Sequence, residues 1–120
     1  MAIANESLQD RLARFRQTQI TVTGRKSGRA ISRPVWFVLE GSKVYLLPVQ
    51  GSDTQWYKNA LKNPRIRIEA RGLGAEYPAV PVTDAKAVKS AVEKFHEKYG
   101  KADVKKYYSK FDVAVLVKLD

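Results

Sequence analysis

Short runs of alternating polar and apolar residues constrain the fold of this chain more than any other feature. Residues 65–71 read RIRIEAR, which places charge on one face and aliphatic side chains on the other. Similar strand-like runs cover 20–23, 31–39, 43–49, 77–82 and 111–119, and turn-forming residues separate them. Short, mostly antiparallel strands favour a closed or split barrel, because closure removes exposed strand edges. We therefore predict a mainly β (α+β) fold with six strands.

Helical patterns lie between and before these runs. Asn5 is a suitable N-cap for a helix to about Gln17, and Ser52 or Asp53 for a helix to about Leu61, before the Asn63-Pro64 stop. The longest helix follows Thr83 or Asp84, and a short one covers about 104–109. We thus expect three or four flanking helices, the longest with an apolar stripe of Val88, Ala91, Val92, Phe95 and Tyr99.

Length and hydropathy favour one domain. The 120 residues suit a single unit, with 1–17 as an N-terminal helix and 18–120 as a barrel with helices. No apolar run approaches the roughly 20 residues that span a bilayer. The N-terminus lacks a basic stretch followed by an apolar one. We expect a cytoplasmic protein.

The residue types that usually hold metals are scarce. The chain has no cysteine, which excludes disulfides, thiolate nucleophiles and thiolate metal sites. It has one histidine, His96, which by itself makes no multi-histidine site. We predict no metal centre.

Charge is the strongest signal in the composition. The chain carries 22 Lys and Arg against 12 Asp and Glu, a formal net charge of +10. Such an excess attracts polyanions, whether nucleic acid, an acidic surface or a multiply charged cofactor. A soluble protein with a basic surface is the alternative, so the positions of the charges must decide.

One basic segment lies at a glycine-bounded turn. Residues 23–29 read TGRKSGR, in which backbone amides and a hydroxyl can face an anion. Arginine suits a fork-like contact with phosphate or carboxylate, and lysine adds a point charge. The spacing is not that of a Walker A loop. An ordinary solvated turn stays open as the alternative. The candidate anion-binding residues are Arg25, Lys26, Ser27, Gly28, Arg29 and Arg33.

A second segment joins a strand to a helix. Residues 48–59 read PVQGSDTQWYKN, and such junctions present free backbone amides that favour anionic or carbonyl groups. Trp56 is placed to lie against a planar ring or, alternatively, to pack on the barrel.

The two segments together resemble the deazaflavin-dependent nitroreductase family, within the split-barrel group of flavin and coenzyme F420 oxidoreductases. The resemblance rests on TGRKSG, a strand carrying Pro34, a second strand with a Gly-containing loop, and WYKNALKNP. It implies a split β-barrel of the FMN-binding type. It also implies that Arg25, Lys26 and Ser27 hold the anionic side chain of the coenzyme. Its ring system would border Pro34, Val49, Gln50, Gly51 and Trp56.

The activity implied by the resemblance is hydride transfer from reduced coenzyme F420 to a quinone, nitroaromatic or enone. The cofactor carries that chemistry, and the protein binds and orients. Tyr99, with Tyr107 and Tyr108, falls where relatives place substrate-side aromatics. Tyr99 is the candidate catalytic residue, which would supply a proton or orient the acceptor. Alternatively, it has a structural role as the last residue of the apolar stripe on the longest helix. FMN is the alternative cofactor.

Other functions stay open at this point. Relatives often carry arginine and lysine where this chain has Ile31 and Gln50, which keeps a redox-inactive small-ligand binder in consideration. A nucleic-acid module is the remaining class, because Arg65, Arg67 and Arg71 alternate along one strand. No recognised nucleic-acid motif accompanies them, so we consider this partner unlikely. A homodimer and a monomer are both compatible with the sequence.

Overall fold

The protein is an α+β structure, described by a computed structural model over residues 7–120. These residues form four α-helices and eight β-strands. The helices are α1 Leu8–Leu12, α2 Gln55–Lys62, α3 Ala85–Tyr99 and α4 Lys101–Tyr107. The strands are β1 Gln17–Thr23, β2 Ala30–Trp36, β3 Val38–Glu40, β4 Lys43–Leu46, β5 Arg65–Ala70, β6 Leu73–Pro78, β7 Val80–Val82 and β8 Ala114–Lys118.

The strands make two antiparallel four-stranded sheets. Sheet A has the order β2-β1-β5-β6, and sheet B has the order β3-β4-β8-β7. Neither sheet closes on itself within residues 7–120, so each keeps two edge strands. The expectation of antiparallel strands in an α+β fold is confirmed, and a closed barrel is wrong.

The expected six strands are eight because two of the predicted runs change sheets. The run 31–39 belongs to sheet A as far as Trp36 and to sheet B from Val38, with Phe37 between them. The run 77–82 divides in the same way at Ala79. Phe37 and Ala79 are both buried, at 0% and 5% exposure. Chains that bend from one sheet into another make the corners of such packings.

The core lies between the inner faces of the two sheets. Alternate residues of β1 and β5 meet those of β4 and β8, as the period-two pattern requires. The fully buried members from the four strands include Ile20, Ile68, Val44 and Val117. A second cluster joins α3 and α4 to sheet B through Phe95, Val104 and Ala114. The outer face of sheet A carries exposed residues such as Gln17, Gln19 and Arg67.

The N-terminal helix is shorter than expected. It ends at Leu12, and Gln17 already pairs with Trp36 in β1, so the predicted extension to Gln17 is wrong. Ser7 caps it by accepting a hydrogen bond from Asp10 N at 3.0 Å. The expected cap Asn5 lies outside the described residues. The helical spacing of the apolar residues does not decide the structure of 13–17, because the pairing of β1 with β2 already begins at Gln17.

Other boundaries differ by a few residues. α2 begins after Thr54 instead of Ser52 or Asp53, because 51–53 form a 3-10 turn. β6 begins at Leu73 instead of Tyr77, directly after a turn at Arg71 and Gly72. The short last helix covers 101–107 instead of 104–109, and the last strand covers 114–118 instead of 111–119. Asp84 caps α3 by accepting from Ala87 N at 3.0 Å, as predicted.

Candidate functional site

A groove runs along β2, which is an edge strand of sheet A. One part, the Arg33 cleft, has a volume of about 310 Å³ and lies between β2 and the start of α2. A second part, the Trp36 cleft, has a volume of about 380 Å³ and reaches the end of α4. Both are lined by Pro34, Val35 and Val49, so they form one continuous groove, here called the β2 groove. Each volume falls in the range of small-molecule sites.

The β1–β2 turn carries most of the predicted basic residues and is joined to the Arg33 cleft through Arg25, whose partners Gln55 and Asn59 line that cleft. Gly24 N donates to Arg29 O at 2.8 Å and Gly28 N donates to Gly24 O at 2.9 Å, which closes the turn. Gly28 has a φ of +72°, which glycine adopts without a Cβ clash. Ser27 Oγ accepts from Arg29 N at 3.2 Å, so this hydroxyl stabilises the turn itself. The turn therefore holds its cations on a defined backbone.

Arg25 is fixed to helix α2. Its Nη1 donates to Asn59 Oδ1 and its Nη2 donates to Gln55 Oε1, both at 2.7 Å. The Arg25 backbone N also donates to Asn59 Oδ1, at 3.1 Å. Gln55 and Asn59 line the Arg33 cleft and lie four residues apart on one helical face. Arg25 keeps three further guanidinium N–H donors.

These cations are not neutralised by protein carboxylates. Within residues 7–120, no Asp or Glu oxygen lies within 4.0 Å of the charged groups of Arg25, Lys26, Arg29 or Arg33. Lys26, Arg29 and Arg33 are exposed, and Arg33 Nη1 donates to Ser32 O at 2.9 Å. Arg33 lines the Arg33 cleft and Arg25 contacts two of its lining residues, whereas Lys26 and Arg29 belong to the neighbouring turn and line neither cleft. Positive charge without carboxylate partners on and beside a cleft favours an anion there.

The other end of the groove is aromatic. Trp36 stacks on Tyr99 with ring centroids 4.2 Å apart and an interplanar angle of 9°. Tyr107 meets Trp36 edge-on at 5.5 Å, and Tyr108 lies 6.0 Å from it. Trp36, Tyr107 and Tyr108 line the Trp36 cleft, whereas Tyr99 lies behind Trp36. Stacking on a second ring fixes the orientation of Trp36.

The Tyr99 hydroxyl binds backbone groups. It accepts from Phe37 N at 3.0 Å, and its single proton is shared between two acceptors, Arg16 O at 2.6 Å and Phe37 O at 2.8 Å. Burial raises the pKa of Tyr99 to about 12. Burial also raises the pKa of Tyr108. Neighbouring Lys98 donates to Phe37 O at 2.7 Å, and burial together with Arg16 lowers the pKa of Lys98 to about 8. In this arrangement Tyr99 positions Trp36.

The loop after β4 forms the wall opposite β2. Val49 lines both clefts and is 43% exposed, and its carbonyl accepts from Ser109 N at 2.9 Å. Gln50 is exposed, and its N donates to Thr54 Oγ1 at 2.8 Å. Gly51 has a φ of +55°, and an added Cβ would clash with Asp112 Oδ1. Val49 is thus a lining residue, whereas Gln50 and Gly51 shape the loop.

A polar cluster fixes this loop to the segment before β8. Asp112 Oδ1 accepts from Ser52 N at 2.9 Å and Asp112 Oδ2 accepts from Ser52 Oγ at 2.5 Å. Lys110 Nζ lies 3.2 Å from Asp53 Oδ2. The hydrogen bonds from Ser52, chiefly the one from its hydroxyl, lower the pKa of the Asp112 carboxyl. The groove wall is therefore held in one position.

The predicted site residues separate into two groups. Arg33, Pro34, Val49 and Trp56 line the groove directly, although Trp56 is only 7% exposed and also belongs to the core. Arg25 contacts two lining residues of the Arg33 cleft, Gln50 and Gly51 shape the loop wall, and Tyr99 lies behind Trp36. The other predicted residues belong to the β1–β2 turn and line neither cleft, namely Lys26, Ser27, Gly28 and Arg29. The structure adds Gln55 and Asn59, which the sequence analysis did not select although their i, i+4 spacing near Trp56 indicated a shared face.

Two broader features of the described chain bear on function. No three His, Asp or Glu side chains in residues 7–120 are grouped so as to hold a metal ion. Over the same residues, no helix has the length and apolar character needed to cross a bilayer.

Solved structures with the same fold include proteins of different kinds. One is an F420-H2 dependent reductase (FDR-A), at 20% identity and a TM-score of 0.66, covering 86% of this chain and 94% of that one. Another is the haem storage protein HutZ from Vibrio cholerae, at 15% identity and a TM-score of 0.69, covering 94% and 87%. A third, a domain-swapped dimer, is 20% identical with a TM-score of 0.68, covering 86% and 80%. At these identities the likeness is one of fold.

The family match is more direct than these likenesses. Residues 10–117, which include the whole β2 groove and both sheets except for Lys118 at the end of β8, match one family of bacterial proteins. The chain therefore belongs to the family described as "Uncharacterized protein conserved in bacteria (DUF2255)".

Proposed function

We propose that the protein is a split-barrel oxidoreductase that binds reduced coenzyme F420 in the β2 groove and passes hydride to an organic acceptor. The observation that carries this proposal is the continuous groove with uncompensated cations at one end and stacked aromatic rings at the other. The fold shared with an F420-H2 dependent reductase supports it. When bound, the deazaflavin supplies the hydride.

The residues present fit the two chemical halves of such a cofactor. Arg25, Lys26, Arg29 and Arg33 would hold its phosphate and carboxylates, since none of the four has a carboxylate partner within residues 7–120. Pro34, Val35 and Val49 would border its ring system with apolar atoms that exclude water.

The chain's own contribution is binding and orientation. Trp36 would present a flat surface to a planar acceptor, held in place by the Tyr99 ring behind it. Tyr99 enters this proposal as a positioning residue, because its hydroxyl is engaged by Phe37 and Arg16 backbone atoms. A required proton would come from solvent at the exposed Tyr107 side of the groove.

FMN is the alternative cofactor for the same groove. FMN carries a single phosphate, whereas the coenzyme F420 tail adds several carboxylates. Four uncompensated cations therefore favour the deazaflavin. Haem is less suited, because His96, the one imidazole of the chain, lies on α3 and lines neither cleft. A homodimer also stays part of this proposal, supported only by the domain-swapped dimer of similar fold.

The test is a charge-removal variant with a matched control. Lys26→Gln/Arg29→Gln/Arg33→Gln removes the charge of Arg33, which lines the Arg33 cleft, and two exposed charges of the β1–β2 turn beside it. At about 1 kcal/mol for each lost charge pair, affinity for coenzyme F420 should fall roughly a hundredfold. Lys43→Gln/Lys101→Gln/Lys118→Gln removes the same net charge from exposed positions outside both clefts, and its affinity should change less than about threefold.

Equal losses in both triple variants would show that only net charge matters. Unchanged affinity in the groove variant would contradict the proposed site. Quenching of Trp36 and Trp56 fluorescence measures the dissociation constants, and far-UV circular dichroism checks that the variants remain folded.

A further inference from the structure

The concave surface does not end at the Trp36 cleft. Gln17 and Pro34, which line that cleft, also line a depression of about 350 Å³ on the outer face of sheet A. Phe15 and Arg71 line this depression too, together with Glu69, whose carboxylate pairs with Arg67 at 3.5 Å. Phe15 and Arg71 in turn line a further pocket of about 440 Å³. The β2 groove thus continues across sheet A to a second site.

That second site is rich in arginine. Within residues 7–120 it is lined by Arg11, Arg14, Phe15 and Arg71, here called the arginine pocket. The Arg71 guanidinium carbon lies 5.3 Å from the centroid of the Phe15 ring. Arg11 Nη1 donates to Arg71 O at 2.8 Å, which fixes the turn that carries Arg71. Guanidinium groups beside an aromatic ring suit the fork-like binding of a carboxylate.

Arg71, directly after β5, has two features that distinguish it from the two arginines within that strand. Its φ is +51°, and it is the one non-glycine residue in the left-handed region within residues 7–120. Its guanidinium also has no carboxylate within 4.0 Å in the same part of the chain, whereas Arg65 and Arg67 pair with Glu76 and Glu69. The turn therefore directs an uncompensated cation to the end of the depression.

The sheet register gives the distance between the two sites. Trp36 pairs with Gln17, and Gln19 pairs with Glu69, so Arg71 lies level with Gln17 on the far side of β1. Neighbouring strands lie about 4.8 Å apart, which places the Cα atoms of Trp36 and Arg71 at about 10 Å. A planar molecule of two or three fused rings covers that distance.

We propose that the arginine pocket binds the carboxylate of a planar aromatic acid whose ring lies against Trp36. This deepens the function proposed above and rests on it for one point, namely that the ring at Trp36 is the electron acceptor. The acceptor is then an anionic ring compound instead of a neutral one. The carboxylate exchanges no electrons; it fixes the ring in the Trp36 cleft.

The test compares a charged probe with a neutral one. Cofactor-free protein is titrated with anthracene-2-carboxylate and with anthracene-2-carboxamide, and fluorescence anisotropy reports binding. The carboxylate should bind at least about fivefold more tightly at low salt, the upper range for one exposed charge pair. Added salt should remove much of that preference.

Three variants separate the arginine pocket from general surface charge. Arg71→Asn keeps a residue type that tolerates positive φ, and Arg14→Gln changes an exposed residue in case the first variant unfolds. Each should reduce the carboxylate preference to less than twofold. Arg67→Gln, on the same sheet face, should leave it unchanged. Equal binding of the two probes by the unaltered protein, or a preference that survives in both folded pocket variants, would overturn the inference.

The outcome is independent of the cofactor assignment. A carboxylate preference without any coenzyme F420 binding would contradict the proposed function alone. Coenzyme binding without a carboxylate preference would contradict the arginine pocket alone.

Discussion

Phe37 is the point at which a single strand-like run passes from sheet A to sheet B, so its backbone has no ladder partner in either sheet. Two side chains from the end of α3 replace that partner. Tyr99 Oη accepts from Phe37 N, and Lys98 Nζ donates to Phe37 O. Replacing Tyr99 by phenylalanine keeps the ring that stacks on Trp36 and removes only the hydroxyl. The variant therefore tests the corner of the fold by itself.

The expected loss of stability follows from the backbone groups that Tyr99→Phe leaves without a hydrogen-bond partner. Phe37 O keeps Lys98 as a donor, and Arg16 O is only partly buried and can bind water. Phe37 N, in a residue that is 0% exposed, loses its acceptor. One buried unsatisfied N–H costs about 1–3 kcal/mol, so we expect Tyr99→Phe to lower the free energy of unfolding by about 2 kcal/mol. For a chain of this length that is roughly 8 °C in Tm.

The assay is urea unfolding followed by far-UV circular dichroism. Tyr107→Phe is the control, because Tyr107 is 53% exposed and contacts Trp36 only through its ring edge. Its free energy of unfolding should change by less than about 0.5 kcal/mol. If Tyr99→Phe also stayed within about 0.5 kcal/mol of the unaltered protein, the account of Phe37 would be refuted.

Two further predictions concern the loop wall and pH. Gly51→Ala should lower the free energy of unfolding by about 2 kcal/mol, because the new side chain is strained at positive φ and displaces Asp112. Gly28→Ala is the control, since it has the same positive-φ strain but open space around the new Cβ. It should lower the free energy of unfolding by about half as much in the same denaturation assay. Lys98 has a folded pKa lowered from 10.5 to about 8, so the folded state is penalised below pH 8. The free energy of unfolding should rise by about 1–2 kcal/mol from pH 8 to 10 and fall above pH 10, where the raised pKa of Tyr99 acts in the opposite sense. Lys98→Met should abolish the rise, and a rise that persists in that variant would exclude Lys98 as its source.

The sequence predicted helices and strands well where the periodicity of their own residues determines the structure. The strict alternation of β5 and the apolar stripe of α3 both appear in the structure, with Ile66, Ile68 and Phe95 fully buried. The passage of chain between sheets at Phe37 and Ala79 was not predicted. A strand that changes partners has the same alternation as one that does not, because the partner is set by distant residues.

The candidate site was predictable in part for the same reason. The basic turn around Arg25 is a local feature, and the structure places it beside the groove. The stacking of Trp36 on Tyr99 joins residues 63 positions apart and depends on how α3 packs on sheet B. The Arg71 site depends on the register of β1 against β5, which no local pattern reveals.

The most direct test of the central claim is a parallel titration of the cofactor-free protein with oxidised coenzyme F420 and with FMN. Fluorescence of Trp36 and Trp56 reports binding, since both line the groove. The account predicts micromolar or tighter binding of the deazaflavin, at least tenfold stronger than that of FMN. Binding of neither molecule, or a preference for FMN, would contradict it.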